Sequence, residues 1–206
     1  MKRLLLNCLL ALVVAFASTA WAQDLRFAHD LYPLKVGQQW TYRSGKETVV
    51  IRVEKEVPIE ITRNEKKDRV ISFMLKIGSG PREVAEQVAV LDDGVYRLST
   101  AGKATSPALP FLKFKGDSWQ VASKTEGDKL IRGTFVLGLD TIQLTINGKK
   151  ETLSAYTVTS KDFYVDDQEM SIKYWFARKT YGMIKQHIRT DKHEVTLELE
   201  EFKPGP

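Results

Sequence analysis

The residues able to do chemistry are few and scattered along a chain of 206 residues. It has three histidines (His29, His187 and His193) and one cysteine, Cys8. His187 and His193, with Asp191 or Glu194 beside them, could hold a zinc ion weakly, but the region lacks a ligand-spacing motif. The plainer reading is two solvated surface histidines, with His29 in a loop before the first strand. Adjacent carboxylates occur at Asp92-Asp93 and at Asp166-Asp167 with Glu169. A glycoside hydrolase holds its two carboxylates apart in a cleft. These fall at expected hairpin tips, where Asp bonds the turn backbone, and the calcium-loop spacing is missing. Gly78-Ser79-Gly80 is one residue too compact for a nucleophile elbow, and no phosphate-cradling Gly-rich loop ends in Lys-Ser or Lys-Thr. The expectation is a protein without catalytic residues, metal or cofactor.

That leaves the aromatics. Trp40, Tyr42, Trp119, Tyr174, Trp175 and Phe176 lie near strand entrances or in the penultimate β region. They are the candidates to line an apolar groove for a lipid or hydrophobic peptide. The competing reading is that they build the core. Consecutive strand residues point to opposite faces, so Trp175 stands opposite its neighbours and hints at a second apolar surface.

The elements that must position them begin after a targeting segment. Met1-Lys2-Arg3 is a basic head, and Leu4 to Ala17 is apolar apart from Asn7. Ala20-Trp21-Ala22 offers small residues to signal peptidase, with cleavage expected before Gln23. The apolar run is shorter than the roughly 20 residues of a membrane anchor. Residues 1–22 therefore read as a signal-peptide helix, and 23–206 as a single exported domain, periplasmic or secreted. Cys8 precedes most of the apolar core, which is the wrong place for a lipid-acceptor cysteine. Cleavage leaves no cysteine and 29 basic against 26 acidic residues. Thiol chemistry and disulfides are thereby excluded. The charges are dispersed, unlike the stripe of a nucleic-acid binder.

From Trp40 onward apolar residues alternate with polar ones. Val49, Ile51, Val53 and Val57 are expected on one face, with Arg52, Glu54 and Glu56 on the other. Ile71 to Ile77 and Ile142 to Ile146 repeat the pattern, which is that of half-buried strands. Ser44-Gly45, Asn64 to Lys67, Asp93-Gly94, Glu126 to Asp128, Asn147-Gly148, Asp166-Asp167 and Asp191-Lys192 mark the turns. With Asp191-Lys192 as a two-residue loop, Ile188 faces Val195 and Ile184 faces Leu199. On the other side Arg189 faces Glu194, His187 faces Thr196 and Lys185 faces Glu198, so like meets like and charge meets counter-charge. Pro81 to Gln87 has helix formers, but Val84, Val88 and Val90 favour a strand. Ala101 to Pro110, rich in turn and small residues, reads as a surface connection between two halves.

Pro33-Leu34-Lys35-Val36-Gly37-Gln38-Gln39-Trp40 has an echo in Leu112-Lys113-Phe114-Lys115-Gly116-Asp117-Ser118-Trp119. In both, Gly allows a sharp turn and Trp covers an open end of the core. The first segment, continued by Thr41-Tyr42, resembles the opening of a group of uncharacterised exported bacterial β-rich proteins with a Pro-Leu-Lys-x-Gly-x-x-Trp-x-Tyr motif. The likeness returns at Gly116 to Trp119 and from Tyr174 through Gln186. It departs at Arg178-Lys179-Thr180, where the group commonly has a Pro-Gly turn. That group is similar to periplasmic lipoprotein-carrier-like half-barrels, which implies a carrier fold and no particular activity.

The expected architecture is all-β: a strongly twisted antiparallel sheet of about ten strands, as a half-barrel, barrel-like meander or sandwich. The expected function is a non-enzymatic binding or carrier-type domain for lipid or a hydrophobic partner. The alternative is an envelope-assembly protein that acts through its surface on another envelope protein, with a hydrolase behind both.

Overall fold

The computed structural model describes residues 31–206 except 64, 65, 79, 80, 82, 101 and 179. The expected signal segment and cleavage site, and His29, lie outside the described residues. Twelve strands run in sequence order: β1 (Gln39–Ser44), β2 (Glu47–Arg63), β3 (Lys66–Ile77), β4 (Val84–Leu91), β5 (Gly94–Thr100) and β6 (Lys103–Lys113), then β7 (Ser118–Thr125), β8 (Leu130–Ile146), β9 (Lys149–Val165), β10 (Gln168–Ala177), β11 (Gly182–Thr190) and β12 (Glu194–Lys203). Each pairs antiparallel with its neighbours in sequence. β1 pairs with both β2 and β12, which closes the meander into a barrel. Closure pairs the first strand of the meander with the last, so neither is left as an edge strand.

The sequence alternation becomes an apolar interior and an exterior that carries ion pairs, with a second apolar cluster of Ala89, Leu91 and Tyr96 on the outward parity of β4 and β5. Ile51, Val53, Leu75, Val88, Val95, Phe135, Tyr174 and Phe176 are buried in one core. Lys76 bridges Glu54 at 2.9 Å and Glu83 at 3.3 Å, Arg52 meets Glu83 at 2.7 Å, and Lys185 meets Glu198 at 2.6 Å. No helix among the described residues is long and apolar enough to cross a membrane.

The β11–β12 hairpin has the expected register: Lys185 opposite Glu198, His187 opposite Thr196, Ile188 opposite Val195 and Arg189 opposite Glu194. Val57 differs from expectation. The β2–β3 register shifts between Val53 and Lys55, and the one extra residue of a bulge moves everything beyond it to the other face. The expected connection between halves also differs. Residues 103–110 form most of β6, with Leu109 in the core. Pro107 and Pro110 lack the N–H that a strand ladder uses, which is why this stretch reads as loop. The ladder between β6 and β7 is accordingly short, pairing Thr105 with Thr125 and Ser106 with Lys124. Side chains bridge the remaining seam: Ser123 Oγ donates to the Pro107 carbonyl at 2.6 Å and Trp119 Nε1 to the Pro110 carbonyl at 2.9 Å. The β4–β5 turn sits at Asp92-Asp93, one residue before the expected place.

Two ends can be distinguished. The lower end receives residues 31–38, the β10–β11 turn and the end of β12. There Trp40 and Tyr181 each pack on Phe202 at 5.6 Å between ring centroids, and Trp40 Nε1 donates to the Tyr181 carbonyl. The tip of the long β8–β9 hairpin folds across to β12, where Asn147 bonds both the N–H and the carbonyl of Phe202. Gly37 and Gly116 adopt φ of +86° and +79°, the left-handed region that favours glycine. Each precedes a buried Trp at the lower end of a six-strand half, and in each half the second and third strands form the longest hairpin. The upper end carries the β1–β2, β3–β4, β5–β6, β7–β8, β9–β10 and β11–β12 connections.

Candidate functional site

Above the plugged lower end the barrel side chains do not fill the interior. A cavity of about 330 Å³ lies there. Its floor includes Tyr32, Phe111, Tyr174 and Met183, all buried; its wall includes Val88, Leu109 and Phe135. Its rim is half-buried: Ile77, Thr100, Val165, Met170, Ile188 and Leu197, all near the upper ends of their strands. The mouth therefore faces the upper turns. Protein interiors are close-packed, with few voids larger than a water, so a space of this size sets this region apart from the rest of the interior.

The lining is apolar with a few polar groups. Glu86 on β4 and Arg97 on β5 form an ion pair inside the barrel, Nε to Oε2 at 3.7 Å, with side chains 12% and 19% exposed. Charges this enclosed are rare unless paired. Arg97 lies 4.8 Å from the Phe111 ring centroid and 5.7 Å from that of Tyr174. This cation–π packing fixes the guanidinium. Burial opposes its charge, but Tyr174, Glu86 and Tyr32 outweigh burial, and its pKa is held above the usual arginine value. Tyr32 is pushed up by burial, only partly offset by Arg97. Both side chains thus keep their ordinary protonation at neutral pH. Gln186, opposite Tyr174 across the β10–β11 ladder, also lines the cavity. The Thr100 hydroxyl is buried there with no hydrogen-bond partner among the described residues. Leaving such a group unpaired costs about 1–3 kcal/mol, which a bound polar atom would recover.

The six aromatics singled out by sequence go to different places. Tyr174 lines the cavity. Phe176 is buried behind it, 6.0 Å from Tyr32 and 6.3 Å from Phe111 between centroids. Tyr42 is buried lower down, its hydroxyl donating to the Met183 carbonyl at 2.7 Å, and its pKa is raised by burial and by Tyr32. Trp40 belongs to the lower plug and Trp119 to the β6–β7 seam. Trp175 faces away from the cavity, donating to Asp140 at 3.0 Å, with Lys173 and Lys185 at 4.5 and 5.4 Å from its ring.

Arg97, Glu86, Gln186 and Thr100 were not among the sequence candidates. A signal exists for Glu86 and Arg97. Val90 pairs with Val95 and Val88 with Arg97, so Glu86, Val88 and Val90 share one parity, as do Val95 and Arg97. A charged residue extending an apolar face on each of two adjoining strands marks an interior polar pair.

Elsewhere, His187 Nδ1 lies 3.0 Å from Thr196 Oγ1 and its Nε2 3.6 Å from Glu194; His193 is exposed in the last turn. No group of three or more His, Cys, Asp or Glu residues able to hold a metal occurs among the described residues. A second, more open cleft of about 580 Å³ lies between the β8–β9 hairpin and β12. Its charged residues include Arg43 and Glu200, which pair with each other.

No family model matches the chain. No curated protein sequence matches it either. Among solved structures, it is similar to a "putative lipoprotein" from Parabacteroides distasonis ATCC 8503, with 10% identity and a TM-score of 0.47, over 84% of this chain and 98% of that one. It is also similar to a "putative exported protein with YmcC-like fold" from Bacteroides fragilis NCTC 9343, with 11% identity and a TM-score of 0.46, over 85% of this chain and 99% of that one. Those descriptions are of the two neighbours; at such identities and TM-scores the likeness carries no argument about what this chain does or where it acts.

Proposed function

We propose that this chain is an exported, non-enzymatic binding protein of the carrier type, which holds one small hydrophobic molecule inside its barrel. The observation that carries the reading is the cavity of about 330 Å³, apolar in most of its lining and rimmed by half-buried side chains at one end. Its volume falls at the lower end of the ~300–1,000 Å³ of small-molecule sites, and a mostly apolar lining with a few convergent polar groups is their usual composition. Export rests on the basic head, apolar run and Ala20-Trp21-Ala22 of the first 22 residues.

The test is binding of a fluorescent acyl probe to the purified protein, together with mass spectrometry of its solvent extract. The expected result is one probe per chain, weakened at least about tenfold by Ile188→Trp or Leu197→Trp at the mouth, with far-UV circular dichroism unchanged. If the probe does not bind and the extract holds no lipid, the carrier reading fails. The second reading, a surface-acting envelope protein, draws on Leu139, which is 77% exposed.

A further inference from the structure

We propose that Arg97 anchors the acid group of the bound molecule, so that the barrel takes a single-chain amphiphile with a carboxylate head, whose oxygens displace Glu86 from the guanidinium. This rests on the cavity being a binding site and goes beyond it by naming the ligand's chemistry.

Three observations carry it. First, the Glu86–Arg97 pair is loose. Arginine and a carboxylate that are made for each other form two short parallel hydrogen bonds. Here the closest approach is Nε to Oε2 at 3.7 Å, beyond hydrogen-bond length. A carboxylate arriving in the cavity can make the two-pronged contact that Glu86 does not. Second, the guanidinium is held in place beforehand by Phe111 and Tyr174, so little side-chain freedom is lost on binding. Third, Glu86 has somewhere to go. Arg97 is opposite Val88, and Glu86 is two residues nearer the upper end of the same strand, about 7 Å closer to the mouth. Once displaced, its carboxylate can turn toward water.

The head and tail follow from charge and volume. One guanidinium matches one negative charge, and a phosphate dianion would face the nearby Glu86. Gln186 and the unpartnered Thr100 hydroxyl add hydrogen-bonding groups to the same cavity. At roughly 30 Å³ per heavy atom, the share of one water in the liquid, the cavity holds a chain of about ten carbons.

The test compares decanoate, methyl decanoate and decyl phosphate by calorimetry at neutral pH, on the full exported chain. Decanoate is expected to bind wild type at least about tenfold more tightly than its methyl ester, the size of one charge-assisted contact. Arg97→Gln should weaken decanoate to the level that the ester shows on wild type. Glu86→Gln, which removes the competing carboxylate, should tighten it. The wild-type comparison needs no variant to fold. If the ester binds as tightly as the acid, the anchor is refuted while the cavity reading stands. If decyl phosphate binds more tightly than decanoate, the carboxylate assignment is overturned. If no ligand binds, both this inference and the cavity reading fail.

Discussion

Arg97→Met should destabilise the barrel more than the double variant Arg97→Met/Glu86→Leu. At 3.7 Å and an effective dielectric constant near 20, the pair attracts by about 4 kcal/mol. Removing one partner of a fully buried pair costs ~3–5 kcal/mol, because the other charge is left unpaired, whereas replacing both with apolar groups is often near neutral. Glu86 keeps 12% of its side chain exposed and stands near the mouth, so water relieves part of the loss. The expected cost is about 2–3 kcal/mol for Arg97→Met and under about 1 kcal/mol for the double variant. Urea unfolding followed by tryptophan fluorescence reads this as a shift in midpoint at constant slope. Equal losses in the single and double variants would refute the reasoning. They would mean that Arg97 contributes by packing on Phe111 and Tyr174 and not by answering Glu86.

Other perturbations test the packing. Gly133 has φ of +156°, and a Cβ there would stand 2.7 Å from the Phe163 Cα; Gly148 has φ of +75° with nothing within 4 Å. Gly133→Ala should therefore cost at least about 2 kcal/mol and Gly148→Ala about 1, and equal midpoints in urea would contradict the close approach. Phe111→Ala should lose about 3–5 kcal/mol and admit longer acyl chains, read by unfolding and by probe competition; a cost below about 1 kcal/mol would show that the aromatic floor is not packed. Burial and the hydrogen bond to Glu151 push Tyr181 up to about 12. Its folded pKa lies above the ordinary 10, so its share of stability is intact below pH 10 and is lost as pH rises through about 12. Glu151→Gln should lower that pKa in an ultraviolet titration referenced to Tyr181→Phe, and an unchanged curve would reject the contact.

Much of the strand pattern is legible in the sequence because it is local. The β11–β12 register follows from residues within a few positions of the turn, where a slip would set Lys185 and Arg189 against the wrong partners. Longer-range features are not written that way. The bulge after Val53 is set by pairing with β3, so alternation alone continues Val57 onto the wrong face. β6 is hidden by Pro107 and Pro110, whose missing donors are tolerated because Ser123 and Trp119 bond across the seam. Closure depends on β1 meeting β12, a contact between the chain's two ends that no local pattern announces. The candidate site is only partly legible. Aromatic residues attract attention by size, yet of the six named only Tyr174 lines the cavity. Arg97 and Glu86 resemble the many outward charges until their parity with Val95 and Val88 is followed across the β4–β5 turn.

Diffraction from crystals pressurised with xenon shows whether the closed barrel keeps an apolar space above its aromatic floor, since apolar cavities take up the gas. Xenon is expected between Val88, Leu109, Phe111 and Met183, in a barrel closed by β1 against β12. A space filled by repacked side chains or by a chain of ordered waters would contradict it.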